Sequence, residues 1–299
     1  MSRISVVVPL KGHPVLVNDA LASVAREMDS GAIGRVIVVD DGCVLDETRL
    51  TLEAWQAILG DQLIVQHWQN AGLSAARNRG IAAALEADPE LEAIFLLDAD
   101  NTLAEGAGPL MARLLAEQEA DWFYPRFDFF GQAGHYISDA APNLLFHSVI
   151  NAMEAGSLVR KRVFDRGLRF DEAMRSGYED WEFWLNAQRE GLRGMLVEAP
   201  MLQYRKRPVS MLASSHDQDA ELRAYISQKH RWLYNVPKLL SLEAQSFPRF
   251  AVFEGQTSEV LLLTDPAQAL RRWRGFTPSE TFRPRGHRLR DADYFLRRR

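Results

Sequence analysis

Carboxylates at three places in this sequence have the spacing of groups that do chemistry: positions 40–41, 98–100 and 179–180. Asp98 and Asp100 directly follow the apolar run IFLL, which is typical of a strand buried on both faces. Two carboxylates so close together repel each other unless a cation lies between them. A hard divalent ion accepts one or two carboxylates and completes its shell with phosphate oxygens. The spacing therefore predicts a metal site for a phosphate-bearing ligand; the alternative is an ordinary strand end followed by a turn.

The other two acidic pairs occupy a strand end and a helix start. Asp40 and Asp41 close the apolar segment RVIVVDDG. Glu179 and Asp180 fall in the first turn of a predicted helix, where the helix dipole favours ionised carboxylates. Taken alone, this last pair is better explained as helix-start chemistry than as a catalytic group.

Strands and helices alternate over the first hundred residues. β-branched runs predict the strands, and apolar residues at helical spacing predict the helices between them. The strands are expected at 4–8, 35–41, 63–68 and 94–97, and the helices at 15–28, 48–59 and 74–87, the last capped by Ser74. This order predicts a doubly wound parallel sheet with right-handed crossovers. Ligands bind such a sheet at the carboxyl ends of its strands, where the first two acidic pairs lie.

The pattern changes after Asn101. A helix is expected at 106–120, and extended segments are expected at 121–127, 194–200 and 201–212. The helix that begins near Glu179 ends at Gly191, a good terminator. No Gly-rich dinucleotide motif and no Walker-type Gly-Lys-Ser follows the first strand, so neither a dinucleotide site nor a P-loop is supported.

Composition excludes several classes of protein. The net charge of −5 gives no electrostatic case for nucleic acid. Cys43 is the sole cysteine, which excludes an internal disulfide framework and a Cys-cluster zinc site. No apolar run approaches the 18 residues of a membrane span, and the start MSRISVVVPLKG lacks a signal-peptide pattern. We therefore expect a cytoplasmic protein.

The C-terminal region from Val236 onward has a weaker pattern. FAVFEG and EVLLLT are expected to pair as two strands. Residues 267–299 carry ten arginines against three acidic residues. The tail is interpreted first as a solvated segment; the alternative is a peripheral contact with an anionic membrane or with another protein.

Six short motifs in series carry a resemblance to a known family. VVVPLKG, VVDDG, NAGLSAARNRGI, FLLDADN, GSLVRK and YEDWEFWLNAQREG resemble, in this order and spacing, the family 2 glycosyltransferases with the GT-A fold. The resemblance covers roughly residues 4–206. It implies an α/β fold with a doubly wound, mostly parallel sheet and flanking helices. The GT-A domain would span residues 1–235, with a nucleotide-binding half at about 1–104, an acceptor half at about 105–235 and an accessory segment at 236–299.

The resemblance also implies roles for the residues that match the nucleotide-binding motifs. Pro9, Leu10 and Lys11 would line the nucleotide pocket, although the family's usual VVIPTYN has an aromatic residue and Asn where this chain has Lys11 and Gly12. The Asp40–Asp41 pair would face the base, with Asp41 accepting a hydrogen bond from the pyrimidine N3.

The remaining roles concern the diphosphate, the metal and the base catalyst. Arg77 would contact the diphosphate and uridine, and Asp98 with Ala99 would lie beside the nucleotide. Asp98 and Asp100 would hold the metal, with His216 as a candidate third ligand. Asp180 matches the catalytic base best, and Glu179 is its neighbour in that motif.

The activity implied is transfer of a sugar, with inversion, from a nucleotide-diphosphate sugar to a saccharide or other hydroxyl acceptor. UDP-sugars are the first expectation for the donor, and Mn²⁺ or Mg²⁺ for the cofactor. Two alternatives stay open: a nucleotidyltransferase, for which PLKGHP is a poor phosphate loop, and a non-catalytic nucleotide-sugar-binding module. A further segment, QKHRW at 228–232, fits the Gln-x-x-Arg-Trp signature of membrane-embedded processive members, and we interpret it as coincidental.

Overall fold

The computed structural model describes most of the first 234 residues and three later strands. The described residues are 3–125, 128–130, 147, 151, 153–205, 218–234, 250–254, 259–263 and 271–273.

A seven-stranded mixed sheet forms the centre of the molecule. Its strands, in chain order, are β1 (Ile4–Leu10), β2 (Ile33–Asp41), β3 (Leu63–Trp68), β4 (Ala93–Leu96), β6 (Trp122–Pro125), β8 (Leu158–Arg160) and β9 (Gly194–Val197). Across the sheet their order is β3-β2-β1-β4-β8-β6-β9. β1, β2, β3 and β4 pair in parallel, whereas β8 is antiparallel to both β4 and β6. The expected doubly wound, mostly parallel sheet is confirmed.

A second sheet consists of three short strands. β10 (Leu202–Arg205) lies between β5 (Thr102–Leu103), to which it is antiparallel, and β7 (Asp128–Phe130), to which it is parallel.

Helices cover both faces of the central sheet. In the described residues they are α1 (Pro14–Met28), α2 (Asp46–Leu59), α3 (Leu73–Ala87), α4 (Ala107–Glu117), α5 (Lys161–Asp165), α6 (Glu179–Arg189) and α7 (Asp219–Lys229). Side chains of α1, α2 and α4 pack on one face and side chains of α3, α5 and α6 on the other. Because successive strand residues point to opposite faces, Val6 and Val8 join the first core and Val7 joins the second.

The approach of α3 to the sheet depends on Gly80. A Cβ atom at this position would lie 2.4 Å from Cγ1 of Val7 and 3.2 Å from Cγ2 of Val39. Glycine is a poor residue for a helix interior, but only glycine lets this helix lie so close to β1 and β2. The close contact sets the position of Arg77, which lies almost one turn earlier on the same helix.

Two local expectations were wrong. β1 continues through Pro9 to Leu10 instead of stopping at the proline, and Pro9 pairs in register with Val39 of β2. Ser74 does not cap α3: the cap is Gly72, with φ 99°, and the Ser74 hydroxyl donates to the carbonyl oxygen of Met174.

The C-terminal strands pair as the sequence predicted, with one addition. Phe250–Glu254 (β11) is antiparallel to Glu259–Leu263 (β12), which confirms the predicted pair, and Arg271–Trp273 (β13) adds a third strand. Among the described residues, no helix has the length and apolar character needed to cross a membrane.

Candidate active site

The carboxyl ends of neighbouring strands bring the predicted residues to one edge of the central sheet. β2, β1 and β4 are adjacent, so the end of β2 and the residues after it, at 40–43, lie beside the segments that follow β1 and β4, at 11–13 and 98–101. The first turn of α6 meets this edge through Glu179, which contacts an arginine shared with the segment after β4.

The loop after β4 is a tight turn that holds both predicted metal carboxylates. The Asn101 amide donates to the Asp98 carbonyl oxygen at 2.9 Å, and the buried Asn101 side chain accepts from the Arg205 amide at 2.9 Å. The Arg205 guanidinium donates to the Asp100 carbonyl oxygen at 3.0 Å and pairs with Asp19 at 2.7 Å. The loop is therefore fixed from β10 and α1, with Asp98, Ala99 and Asp100 half-buried.

Arg77 joins the loop after β4 to the first turn of α6. Its Nη2 donates to Oδ1 of Asp98 at 2.8 Å and its Nη1 donates to Oε1 of Glu179 at 2.7 Å. The residue is 1% exposed, and its guanidinium lies 5.1 Å from the centre of the Phe170 ring. Burial alone would lower the pKa of Arg77, but Asp98 and Glu179 outweigh it and raise that pKa. The contact with two carboxylates is observed, and the predicted contact with the diphosphate stays a prediction.

Asp180 lies beside Glu179 in the first turn of α6, as predicted. Burial raises the pKa of the Asp180 carboxyl to about 7, and the neighbouring Glu179 acts in the same direction. Arg77 and a side-chain hydrogen bond from Asn151 oppose this rise. A carboxylate whose pKa lies near neutrality is suited to accept a proton at physiological pH.

Glu154 is a further carboxylate at the cleft, and the sequence analysis missed it. β8 is antiparallel to β4, with Leu158 opposite Phe95, so the residues just before β8 lie across from the loop after β4. Burial, followed by the charges of Asp180 and Asp98, raises the pKa of Glu154. Tyr204 of β10 belongs to the same cluster, since Glu154 is the largest cause of its raised pKa.

The two carboxylates that end β2 have different partners. Asp41 is 3% exposed, and its side chain accepts from the backbone amides of Ala71 and Gly72, both at 2.9 Å. Asp40 accepts from the Cys43 amide at 2.7 Å and contacts Nδ1 of His67 at 2.8 Å. Burial would raise the pKa of Asp40, but the hydrogen bonds from Cys43 and His67 lower it overall.

Asp41 thus shapes the turn that leads into α3. Whether the same carboxylate also accepts from a pyrimidine stays a prediction. This turn contains the Asn-Ala-Gly segment, and it determines where α3 begins. It thereby also determines where Arg77 lies.

The end of β1 is joined to the end of β2 by Cys43. Pro9 and Leu10 are buried in the strand, while Lys11 is exposed. The amide of Gly12, which has φ 73°, donates to the Cys43 sulfur at 2.8 Å. Burial raises the pKa of the Cys43 thiol to about 12. The thiol is therefore a structural partner of the loop and is not set up as a nucleophile.

The carboxylates after β4 are of the right chemistry to hold a divalent cation. Asp98 and Asp100 are hard oxygen ligands in one fixed loop, which suits Mg²⁺ or Mn²⁺. Within the described ranges, no group of three or more His, Cys, Asp or Glu side chains is placed to hold a metal. The candidate third ligand, His216, lies outside the described residues.

The sequence analysis missed three residues of the site for the same reason. Glu154 and Asn151 precede GSLVRK, and Tyr204 lies within β10. Nothing in their local spacing marks them, because an antiparallel pairing across the sheet brings them to the site. Glu154 could have been located if the segment GSLVRK had been recognised as a strand that pairs with FLLDADN.

Two family models match this chain. The model described as Glycosyl transferase family 2 matches residues 5–169, and the model described as Glycosyl transferase family group 2 matches residues 91–278. No curated protein matches the sequence.

Solved structures of S. aureus TarS share the fold. TarS 1–349 in complex with UDP-GlcNAc has a TM-score of 0.59 at 19% identity, over 72% of this chain and 61% of that chain. TarS 1–349 in complex with UDP has a TM-score of 0.58 at 16% identity, over 83% of this chain and 84% of that chain. Identities this low show the fold alone. The fold is GT-A, and since the first family model covers more than half of the sequence, the chain belongs to glycosyltransferase family 2.

Proposed function

We propose that this protein is an inverting, metal-dependent glycosyltransferase that moves a sugar from a nucleotide-diphosphate sugar, with UDP-sugars as first choice, to a hydroxyl acceptor. Asp180 is the general base and Glu179 its positioning neighbour. Asp98 and Asp100 hold Mn²⁺ or Mg²⁺, and the segments after β1 and β2 bind the nucleoside. TarS, which shares the fold, has been solved with UDP-GlcNAc and with UDP, and this supports the class of donor.

One observation carries the proposal: Arg77 binds the donor-side carboxylate Asp98 and the α6 carboxylate Glu179 at the same time. A buried arginine with two carboxylates in contact costs desolvation energy, and a stable core could be built without it. Here it fixes the distance between the loop after β4 and the first turn of α6. Transfer of a group between two bound substrates requires such a fixed distance.

The reaction needs a proton acceptor opposite the leaving group. The acceptor hydroxyl attacks the anomeric carbon, its proton passes to the Asp180 carboxylate, and the bond from the anomeric carbon to the diphosphate oxygen breaks. A single base with in-line attack inverts the configuration of that carbon. Asn151 donates a hydrogen bond to Asp180 and thereby orients the carboxylate.

The metal, when bound, neutralises the charge that develops on the diphosphate oxygens. The chain's contribution is to hold Asp98 and Asp100 in position through Arg77 and Arg205. The charge of the diphosphate would be met by the metal and, as the resemblance implies, by Arg77, which is bonded to Asp98 and Glu179 in the described part of the cleft.

The experiment offers the protein a panel of nucleotide sugars and simple saccharide acceptors, with Mn²⁺, with Mg²⁺ or with excess chelator. We expect release of free nucleoside diphosphate from one donor, dependent on metal, and a product of inverted anomeric configuration by NMR. Release of pyrophosphate would identify a nucleotidyltransferase instead. Binding of a nucleotide sugar without turnover across the panel would favour a non-catalytic module, and full turnover in chelator would contradict the metal assignment.

A further inference from the structure

We infer that Tyr178, Asp219 and Arg223 form a tie between α7 and the first turn of α6, and that this tie positions the Asp180 carboxylate. The inference rests on the proposed function, because it takes Asp180 as the base. It gives α7 a role in catalysis although none of the three residues reaches the reacting atoms.

The tie begins at a residue with an unfavourable backbone conformation. Tyr178 is the N-cap of α6 and directly precedes Glu179 and Asp180, with φ 60° and ψ 13° in the left-handed region. Gly177 before it has φ 113°. A bulky residue stays in this region only where its surroundings determine its position, and such residues are concentrated at functional sites.

The side chain of Tyr178 explains why a glycine does not occupy this position. Its hydroxyl donates to Oδ1 of Asp219 at 2.7 Å, and the Arg223 guanidinium donates to the same oxygen at 2.7 Å. The Arg223 guanidinium lies 4.9 Å from the centre of the Trp181 ring, and that ring meets the Tyr178 ring edge-on at 5.6 Å. Burial and the nearby Asp219 raise the pKa of Tyr178 to about 12, so its hydroxyl stays protonated and donates.

The first turn of α6 is therefore held from two sides. Arg77 binds Glu179 from inside the cleft, and Asp219 binds Tyr178 from the α7 side. Asp180 directly follows Glu179 and lies two residues after Tyr178, so a rotation of this turn would move its carboxylate out of line with an acceptor hydroxyl.

The remainder of α6 does not depend on the tie. Glu182 pairs with Lys229 at 2.9 Å and with Nε2 of His230 at 2.8 Å, and the Trp181 indole donates to the His147 carbonyl oxygen at 2.7 Å. Loss of the Tyr178 hydroxyl should thus loosen the first turn and leave the helix docked. This separates positioning from general stability.

A matched control lies on α7, the helix that carries Asp219 and Arg223. The hydroxyl of Tyr225 donates to Oδ2 of Asp171 at 2.8 Å, which also ties α7 to the region before α6. The bond is of the same kind as that of Tyr178, but Asp171 lies nine positions before Asp180 in the chain.

The test compares the full-length wild type with Tyr178→Phe, Asp219→Asn and Tyr225→Phe, measuring kcat, donor KM and the melting temperature. We expect Tyr178→Phe and Asp219→Asn to lower kcat roughly ten- to hundredfold, because small misplacements of a reacting group cost this much. Donor KM and melting temperature should stay close to those of Tyr225→Phe, whose kcat should match the wild type. Equal kcat values for Tyr178→Phe and Tyr225→Phe would overturn the inference.

A second arm asks whether the effect passes through Asp180. In an Asp180→Asn background, Tyr178→Phe should cause no further loss of the residual turnover, since the group that it positions is already absent. The same loss in both backgrounds would show that the tie acts elsewhere and overturn the inference. A wild-type chain that releases no nucleoside diphosphate from any donor would overturn the proposed function, and the role of the tie with it. Normal wild-type turnover with an unaffected Tyr178→Phe variant would overturn the tie alone.

Discussion

At the scale of single residues, the cleft contains several neighbouring carboxylates, and burial raises the pKa of two of them, Glu154 and Asp180. Asp180, Glu179 and Glu154 lie near one another and near Asp98, with Arg77 as the shared counter-charge. Burial, followed by repulsion from Glu179, raises the pKa of Asp180 to about 7. A group with a pKa raised above its unfolded value of 3.8 binds its proton more tightly when the protein is folded. The free energy of unfolding therefore decreases as the pH rises from about 4 to about 7.

The first prediction is that Asp180→Asn stabilises the protein while it abolishes most of the activity. The amide cannot ionise, so the penalty disappears above pH 7 and is absent in both proteins below about pH 4. With chelator present, the melting temperature of the variant should exceed that of the wild type at pH 8. The expected rise is about 2–4 °C for each kcal/mol by which the substitution increases the free energy of unfolding. The difference should shrink as the pH is lowered towards 5. A variant less stable than the wild type at pH 8 would contradict the raised pKa.

The sequence identified part of this cluster. Asp98 and Asp100 were identified from their place at a strand end, a feature that local spacing reveals, whereas the role of Asp180 came from the resemblance to the family. Glu154 was missed because the antiparallel strand β8, which carries it across from the loop after β4, cannot be read from spacing. Arg77 was identified as a site residue, but its contacts with Asp98 and Glu179 join segments 21 and 102 positions away.

At the scale of elements, the position of α3 decides where Arg77 lies. The helix is rich in alanine and contains Gly80 at its closest approach to β1. The sequence predicted this helix, its end and its neighbours well, because their periodicity is strong. It gave a wrong start at Ser74, because the segment before the helix is shaped by the distant Asp41 side chain instead of a local cap.

The second prediction concerns this close contact. Gly80→Ala forces α3 away from Val7 or distorts the core, and overpacking of this kind costs about 1–3 kcal/mol. Turnover should fall even at temperatures where the variant is still folded, because the shift of α3 also moves Arg77. Gly34→Ala is the matched control, since a Cβ there meets nothing within 4 Å. Thermal melting and turnover of the two variants check the prediction, and it is wrong if both behave alike.

At the scale of the whole molecule, the catalytic unit is expected to end after the segment that follows α7. His230 and Lys229 pair with Glu182 of α6, and the Trp232 indole donates to Nδ1 of His230 at 3.0 Å. The QKHRW segment, which the sequence analysis interpreted as coincidental, thus packs against the helix that carries the proposed base. The predicted boundary at 235/236 keeps this segment with the GT-A domain, whereas the strands β11, β12 and β13 form a sheet of their own.

The third prediction tests that boundary by truncation. A chain of residues 1–235 should be folded and should bind a nucleoside diphosphate with metal, since it keeps every described contact between α7 and α6. A chain of residues 1–217 should be strongly destabilised, because Glu182 would remain buried without its cationic partner, a change that costs about 3–5 kcal/mol. Circular dichroism melting and nucleotide titration distinguish the two. Insoluble protein from 1–235 would mean that the later strands are integral to the fold.

The central claim is that Asp180 removes the proton from the acceptor hydroxyl, and the most direct measurement is the turnover of Asp180→Asn beside Glu179→Gln. We expect release of nucleoside diphosphate by Asp180→Asn to fall by about 10²–10⁴-fold, the usual contribution of a general base, with donor affinity nearly constant. Glu179→Gln should lose less, because its side chain is turned to Arg77 and a glutamine oxygen can still accept from that arginine. Near-wild-type turnover by Asp180→Asn with loss in Glu179→Gln would assign the reaction to the other carboxylate. Normal turnover by both variants would contradict the account, since the first turn of α6 would then only cap a helix.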